Sequence, residues 1–254
     1  MDTTSLGDTT EGQLASGTPL ESNFWYDARG NLIKASGPGG LVEKNAYDAL
    51  GRVFKTYWSD GGGDTAYGNA DDVTGDYVLE QVEYGYDNND NLILTTYKRH
   101  YHDDTVFGEL GDDDATPYAR VSYSANYYDL ADRLTGVADV GTNPVSTEPT
   151  VYSRPGSVPS RSDAVLVTEY AYDDAGFLKD VTDPRGITAR STYDRLWRAI
   201  QVDEAQGTGG ERTTEYRYDL PVRPTASCGP WYAGSRVTDP GGQCHGEAGR
   251  AGPR

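Results

Sequence analysis

Tyr172-Asp173-Asp174-Ala175-Gly176-Phe177-Leu178 is followed by Asp183-Pro184-Arg185-Gly186 and then by Tyr193-Asp194. Upstream of the first tyrosine, Thr168, Tyr170 and Tyr172 fall on alternate positions, the period of a strand with one buried face. An aspartate directly after such a strand accepts hydrogen bonds from backbone N–H groups of a turn, and a glycine three residues further on supplies the positive φ that the turn needs. Asp183-Pro184-Arg185-Gly186 predicts a second turn, with proline fixing φ and glycine taking the left-handed position. One period is therefore a β-hairpin plus the turn into the next.

The same pattern recurs along the chain. Tyr-Asp occurs at Tyr26-Asp27, Tyr47-Asp48, Tyr86-Asp87, Tyr128-Asp129, Tyr172-Asp173, Tyr193-Asp194 and Tyr218-Asp219. Four residues after the tyrosine stand Gly30, Gly51, Asp90, Asp132, Gly176, Trp197 and Val222, and six after it Leu32, Val53, Leu92, Leu134, Leu178, Ala199 and Pro224. The spacings are 21, 39, 42, 44, 21 and 25, the long ones close to twice the short one. Tyr67, Phe107 and Tyr152 stand at the midpoints of the long gaps and predict three degenerate copies, ten hairpins in all. Trp197 is too bulky for a left-handed position, so its hairpin is expected to turn differently. A lone two-stranded hairpin is marginal in water, so each copy has to bury its Tyr/Leu face against its neighbours. The fold class is all-β: an open strip of antiparallel hairpins, not a closed barrel.

Composition agrees. The chain has 20 Tyr beside 4 Phe, 31 Gly and 13 Pro in 254 residues, which favours strands and turns over helix. Its net charge of −18 repels phosphate backbones and anionic lipid, so nucleic acid and membrane surfaces are poor partners. The longest aliphatic run, Ala164-Val165-Leu166-Val167, is far too short to span a bilayer. Residues 1–10 show no signal peptide. Cys228 and Cys244 are too few for a disulfide framework.

The motif and its period together resemble the YD repeat of bacterial Rhs proteins, of the C subunits of insecticidal toxin complexes and of teneurins. Tyr47-Asp48-Ala49-Leu50-Gly51-Arg52-Val53 carries the resemblance as well as the opening stretch does, and it covers about residues 24–220. It implies hairpin strips that spiral into a hollow shell enclosing or presenting a toxin, and an extracellular or cell-surface location. Ten hairpins fall short of a closed shell, and neither the self-cleaving core region of that family nor a toxin-sized segment has a match here. The resemblance thus implies a non-catalytic strip of shell wall whose partners are further repeats of a longer parent. The other reading is a surface module that binds glycans or a protein through exposed tyrosines such as Tyr97, Tyr101, Tyr118 and Tyr123.

Three segments follow: a loose N-terminal stretch (1–22), the hairpin repeats (23–220), and a tail (221–254) with seven Gly and five Pro that reads as disordered. Two acidic stretches interrupt the repeats, one with Asp60, Asp64, Asp71, Asp72 and Asp76, the other with Asp103, Asp104, Glu109, Asp112, Asp113 and Asp114. Carboxylates on Gly-rich loops are the raw material of a calcium site. The first stretch matches no calcium loop, however, and solvated, mutually repelling loops are the expected reading. His100 and His102 would share a strand face, but two ligands do not make a zinc site, and Cys228 with Cys244-His245 does no better. With three histidines and no nucleophile or phosphate-loop motif, neither catalysis nor a cofactor is expected.

Overall fold

The computed structural model describes residues 21–63, 66–111, 117–142, 152–219 and 223–227. The fold is all-β, with fourteen strands among the described residues and no α-helix: β1 (Asn23–Tyr26), β2 (Leu32–Ser36), β3 (Val42–Tyr47), β4 (Val53–Ser59), β5 (Val78–Tyr86), β6 (Leu92–His100), β7 (Ala119–Tyr128), β8 (Leu134–Gly141), β9 (Leu166–Tyr172), β10 (Leu178–Thr182), β11 (Thr188–Tyr193), β12 (Ala199–Glu204), β13 (Arg212–Asp219) and β14 (Arg223–Ser227). Strand order follows chain order, and the sheet is open rather than closed into a barrel. Two compact units divide the chain, the first holding β1–β6 and the start of β7, the second the end of β7, nearly all of β8 and β9–β14.

In the first unit β1 to β6 pair antiparallel, each with its chain neighbour. In the second, β8 to β14 do the same. Every Tyr-Asp site sits between the two strands of one hairpin. The tyrosine faces the residue six positions later across the turn, as in Tyr26↔Leu32, Tyr47↔Val53, Tyr86↔Leu92, Tyr172↔Leu178, Tyr193↔Ala199 and Tyr218↔Pro224, with a register shift beside each pair. Such a bulge strengthens the local twist and fixes where the hairpin closes.

Among the described residues seven Tyr-Asp hairpins are present, not ten. Tyr67 lies in a single 3-10 turn (Tyr67–Asn69), and Phe107 and Tyr152 lie outside any strand. The doubled spacing comes from longer strands, nine residues in β5 and β6 and ten in β7, together with inserts after β4, β6 and β8. β14 falls inside the segment read as a tail. Residues 1–20 and the rest of 221–254, with Cys228, Cys244 and His245, lie outside the described residues.

The core of the first unit is small and mixed. Tyr57, Val78, Leu110 and Ala119 pack together with Val73, bringing both inserts against the sheet.

Candidate functional site

The repeated element is the turn. Asp27 Oδ1 accepts the backbone N–H groups of Arg29 (2.8 Å) and Asn31 (2.8 Å). Asp48 does the same for Leu50 and Arg52, Asp87 for Asn89 and Asn91, Asp129 for Ala131 and Arg133, Asp173 for Ala175 and Phe177, and Asp194 for Leu196 and Arg198, all within 2.8–3.0 Å. Asp183 repeats the pattern before Pro184, on Arg185 and Ile187. The backbone N–H donors hold the carboxyls of Asp27, Asp48, Asp183 and Asp194 below their ordinary value, and for Asp129 the Arg133 side chain is the largest cause, followed by its backbone N–H. Gly30, Gly51, Gly176 and Gly186 take the left-handed position, and Asp90 and Asp132 accept it at the same site. The side chain of Asp219 lies outside the described residues.

Trp197 corrects an expectation. It adopts φ +68°, and its turn closes with the same hydrogen bonds as the others, Asp194 N–H to Arg198 O (2.9 Å) and Trp197 N–H to Asp194 O (3.0 Å). Its ring, 71% exposed, lies 5.5 Å from that of Phe177 on the preceding hairpin, a contact that offsets part of the backbone strain.

The tyrosines join hairpin to hairpin. Tyr47 Oη donates to Leu32 O (2.9 Å), Tyr86 to Val53 O (2.8 Å), Tyr172 to Leu134 O (2.8 Å), Tyr193 to Leu178 O (2.8 Å) and Tyr218 to Ala199 O (2.7 Å). Each acceptor is the first residue of the return strand of the preceding Tyr-Asp hairpin. The residue just before that acceptor completes the junction. Arg52, Arg133 and Arg198 bond the aspartate of their own turn and lie 4.4–4.5 Å from the rings of Tyr86, Tyr172 and Tyr218. Phe177 takes the same place against Tyr193, with ring centroids 5.3 Å apart. The signal in the sequence is an arginine four residues after the aspartate in four of the seven copies, Arg52, Arg133, Arg198 and Arg223.

Of the described carboxylates in the acidic inserts, Asp60, Asp71, Asp72, Asp103 and Glu109 are exposed, as expected of solvated loops, but Asp76 is not, and both inserts are tied to the sheet. Asp76 is fully buried, paired with the equally buried Lys44 (2.9 Å) and accepting from Ser59 Oγ (2.6 Å), while Lys44 also donates to Asp72 O. Asp60 Oδ1 caps Gly62 and Tyr77, and Asp72 Oδ1 caps Thr74; Asp71 is exposed, and Asp64 lies outside the described residues. From the second insert, Leu110 N–H donates to Gln81 Oε1 (2.8 Å), Leu110 O accepts from Lys98 (3.1 Å), and Glu109 pairs with Lys55. Lysines and Gln81 on the strands thus receive acidic and carbonyl groups from the inserts, which lie over the sheet of the first unit. Burial pushes the Tyr57 phenol far above its ordinary value.

Among the described residues no three His, Cys, Asp or Glu side chains converge as metal ligands. The calcium candidates Asp60, Asp72 and Asp76 are engaged in turn caps and an ion pair. His100 is buried against the Tyr77 ring, whereas His102 is exposed, so the two imidazoles do not act together. Of the tyrosines proposed as a binding surface, Tyr97, Tyr101 and Tyr118 are exposed. Tyr123 is 6% exposed, with its ring tilted against that of Tyr152 (centroids 5.2 Å apart), because Ala119, Val121, Tyr123, Ala125 and Tyr127 form the buried face of β7.

No family model and no curated protein matches the chain. Among solved structures, it is similar to a chain of the Photorhabdus luminescens Tc holotoxin pore at 12% identity with a TM-score of 0.39, covering 83% of this chain and 11% of that one. A chain of the TcdB2–TccC3 crystal structure is similar at 10% identity with a TM-score of 0.31, covering 78% of this chain and 11% of that one. The chain spans about a tenth of the length of the chains it matches.

Proposed function

We propose that this chain is a non-catalytic wall segment of an Rhs-type, YD-repeat β-shell from a secreted or cell-surface protein, which in its longer parent encloses or presents a toxin. The observation that carries the reading is the junction between hairpins: tyrosine hydroxyl on the preceding return strand, arginine or phenylalanine against the tyrosine ring, aspartate closing the turn. These groups are occupied with one another and cross-link neighbouring hairpins, which is what a wall requires. These engagements support an architectural role for the residues with the strongest sequence signal. Reading the adjoining coding sequence tests this. Further Tyr-Asp copies in the same frame support it, and unrelated domains or stop codons on both sides contradict it.

The exposure of Tyr97, Tyr101 and Tyr118 favours a second reading, a surface that binds a glycan or a protein. A glycan array decides on the sugar: uniform silence removes it.

A further inference from the structure

We propose that copies of this chain associate head to tail, the β1 edge of one copy pairing antiparallel with the β14 edge of the next and Tyr26 Oη donating to Pro224 O across the joint. The strands that join one Tyr-Asp hairpin to the next share a single register. The residue eight positions after one tyrosine faces the residue three positions before the next: Lys34↔Lys44, Lys55↔Glu83, Gly136↔Glu169, Asp180↔Arg190 and Gln201↔Glu215. At each of these five joints the tyrosine hydroxyl donates to the carbonyl six positions after the preceding tyrosine. The same rule, carried to the two ends of the strand order, sets Asn23 opposite Ala226 and brings Tyr26 to Pro224.

Each end holds half of this joint. β1 opens the strand order among the described residues, and Tyr26 is 50% exposed, whereas the other six Tyr-Asp tyrosines are half-buried. The Tyr26 carbonyl accepts from Tyr67, but its hydroxyl makes no hydrogen bond among the described residues. β14 closes the order, with Pro224 opposite Tyr218, the position that supplies the acceptor carbonyl in the five joints above. Proline lacks an N–H but keeps that carbonyl. Arg223, just before it, occupies the sequence position of Arg52, Arg133 and Arg198. A second observation points to a covered edge. Solvent-facing edge strands are ordinarily guarded by charge or proline, and Asn23-Phe24-Trp25-Tyr26 has neither, with Phe24 57% exposed. A donor end and an acceptor end on one chain fit each other and not themselves, so the contact is heterologous and does not stop at a pair. This pairing rests on the wall reading, since it carries the joint of that wall from one chain to the next.

Sedimentation velocity of the full chain over a wide range of concentration is expected to show species larger than one chain that grow with concentration. Tyr26→Phe is expected to weaken the association about fivefold, the worth of one hydrogen bond. Cross-linking reads the register. In a Cys228→Ser, Cys244→Ser background, Asn23→Cys on one copy and Ala226→Cys on another stand directly opposite, within reach of a disulfide formed with copper phenanthroline and air as oxidant. The mixture of the two variants is expected to give a linked dimer, neither variant alone to give one, and the doubly substituted chain to give a ladder. Phe24→Cys in place of Asn23→Cys, one residue out of register and on the opposite face, is expected to give no link. A single-chain mass at every concentration, a link of Asn23→Cys to itself, or no link between Asn23→Cys and Ala226→Cys overturns the proposal. Further Tyr-Asp copies in the adjoining frame, beside a chain that stays single, would remove the head-to-tail joint and leave the wall standing.

Discussion

Replacing Tyr172 in steps separates the parts of one junction. Tyr172→Phe removes the hydroxyl that donates to Leu134 O at 2.8 Å and keeps the ring under Arg133. The expected loss is about 1 kcal/mol, the net worth of a protein hydrogen bond. Tyr172→Leu also removes the aromatic face 4.5 Å from the Arg133 guanidinium, a further loss of about 0.5–1 kcal/mol. Tyr172→Ala leaves a void between two hairpins. The ring is half-buried, so the total falls to about 3 kcal/mol, the low end of the range for a buried aromatic. Urea denaturation followed by far-UV circular dichroism reads the series. Combined with Arg133→Ala, Tyr172→Leu gives a double-mutant cycle with an expected coupling of about 0.5–1 kcal/mol. A Phe variant as stable as the parent, or a cycle with no coupling, refutes the junction as drawn.

Three other perturbations address other parts of the chain. Asp76→Ala leaves Lys44 buried without its counter-charge and is expected to destabilise by about 3–5 kcal/mol, whereas the pair Lys44→Met with Asp76→Leu is close to neutral in the same denaturation experiment. Trp197→Gly is expected to be more stable than Trp197→Ala by about 1 kcal/mol, because glycine meets φ +68° without strain; equal denaturation midpoints would contradict that backbone geometry. The carboxyls of Asp48 and Asp194 titrate below their unfolded value, so their contribution is complete above about pH 4 and is lost as pH falls through the folded values. Asp48→Asn with Asp194→Asn is therefore expected to flatten the acid limb of a stability-against-pH profile, and an unchanged limb would place the proton uptake elsewhere.

What the sequence disclosed was local. Asp173 and Gly176 lie three residues apart, and their turn chemistry needs nothing beyond the hairpin, so it is legible in one line of sequence. The role of Arg52 was not, because its ring partner Tyr86 is on a later hairpin and becomes a neighbour only once the strands pair. The same holds for Lys44 and Asp76, 32 residues apart: an acidic stretch read alone looks solvated, and only the lysine beneath it changes that. Trp197 goes against its intrinsic preference because the ring contact with Phe177 and a shared hydrogen-bond pattern outweigh a strained φ. The burial of Tyr123, by contrast, is local, since the alternation of Val121, Tyr123, Ala125 and Tyr127 with polar or exposed neighbours marks one buried strand face.

Each hairpin is held mainly by its immediate neighbours through the tyrosine junctions. Hydrogen exchange by mass spectrometry on the parent and on Tyr172→Phe tests it most directly, because Tyr172 on β9 bonds to the first residue of β8. Faster exchange confined to β8, β9 and β10, with β12 and the strands of the first unit unchanged, is the predicted result. A uniform rise across all strands, or no change beyond β9, would contradict it.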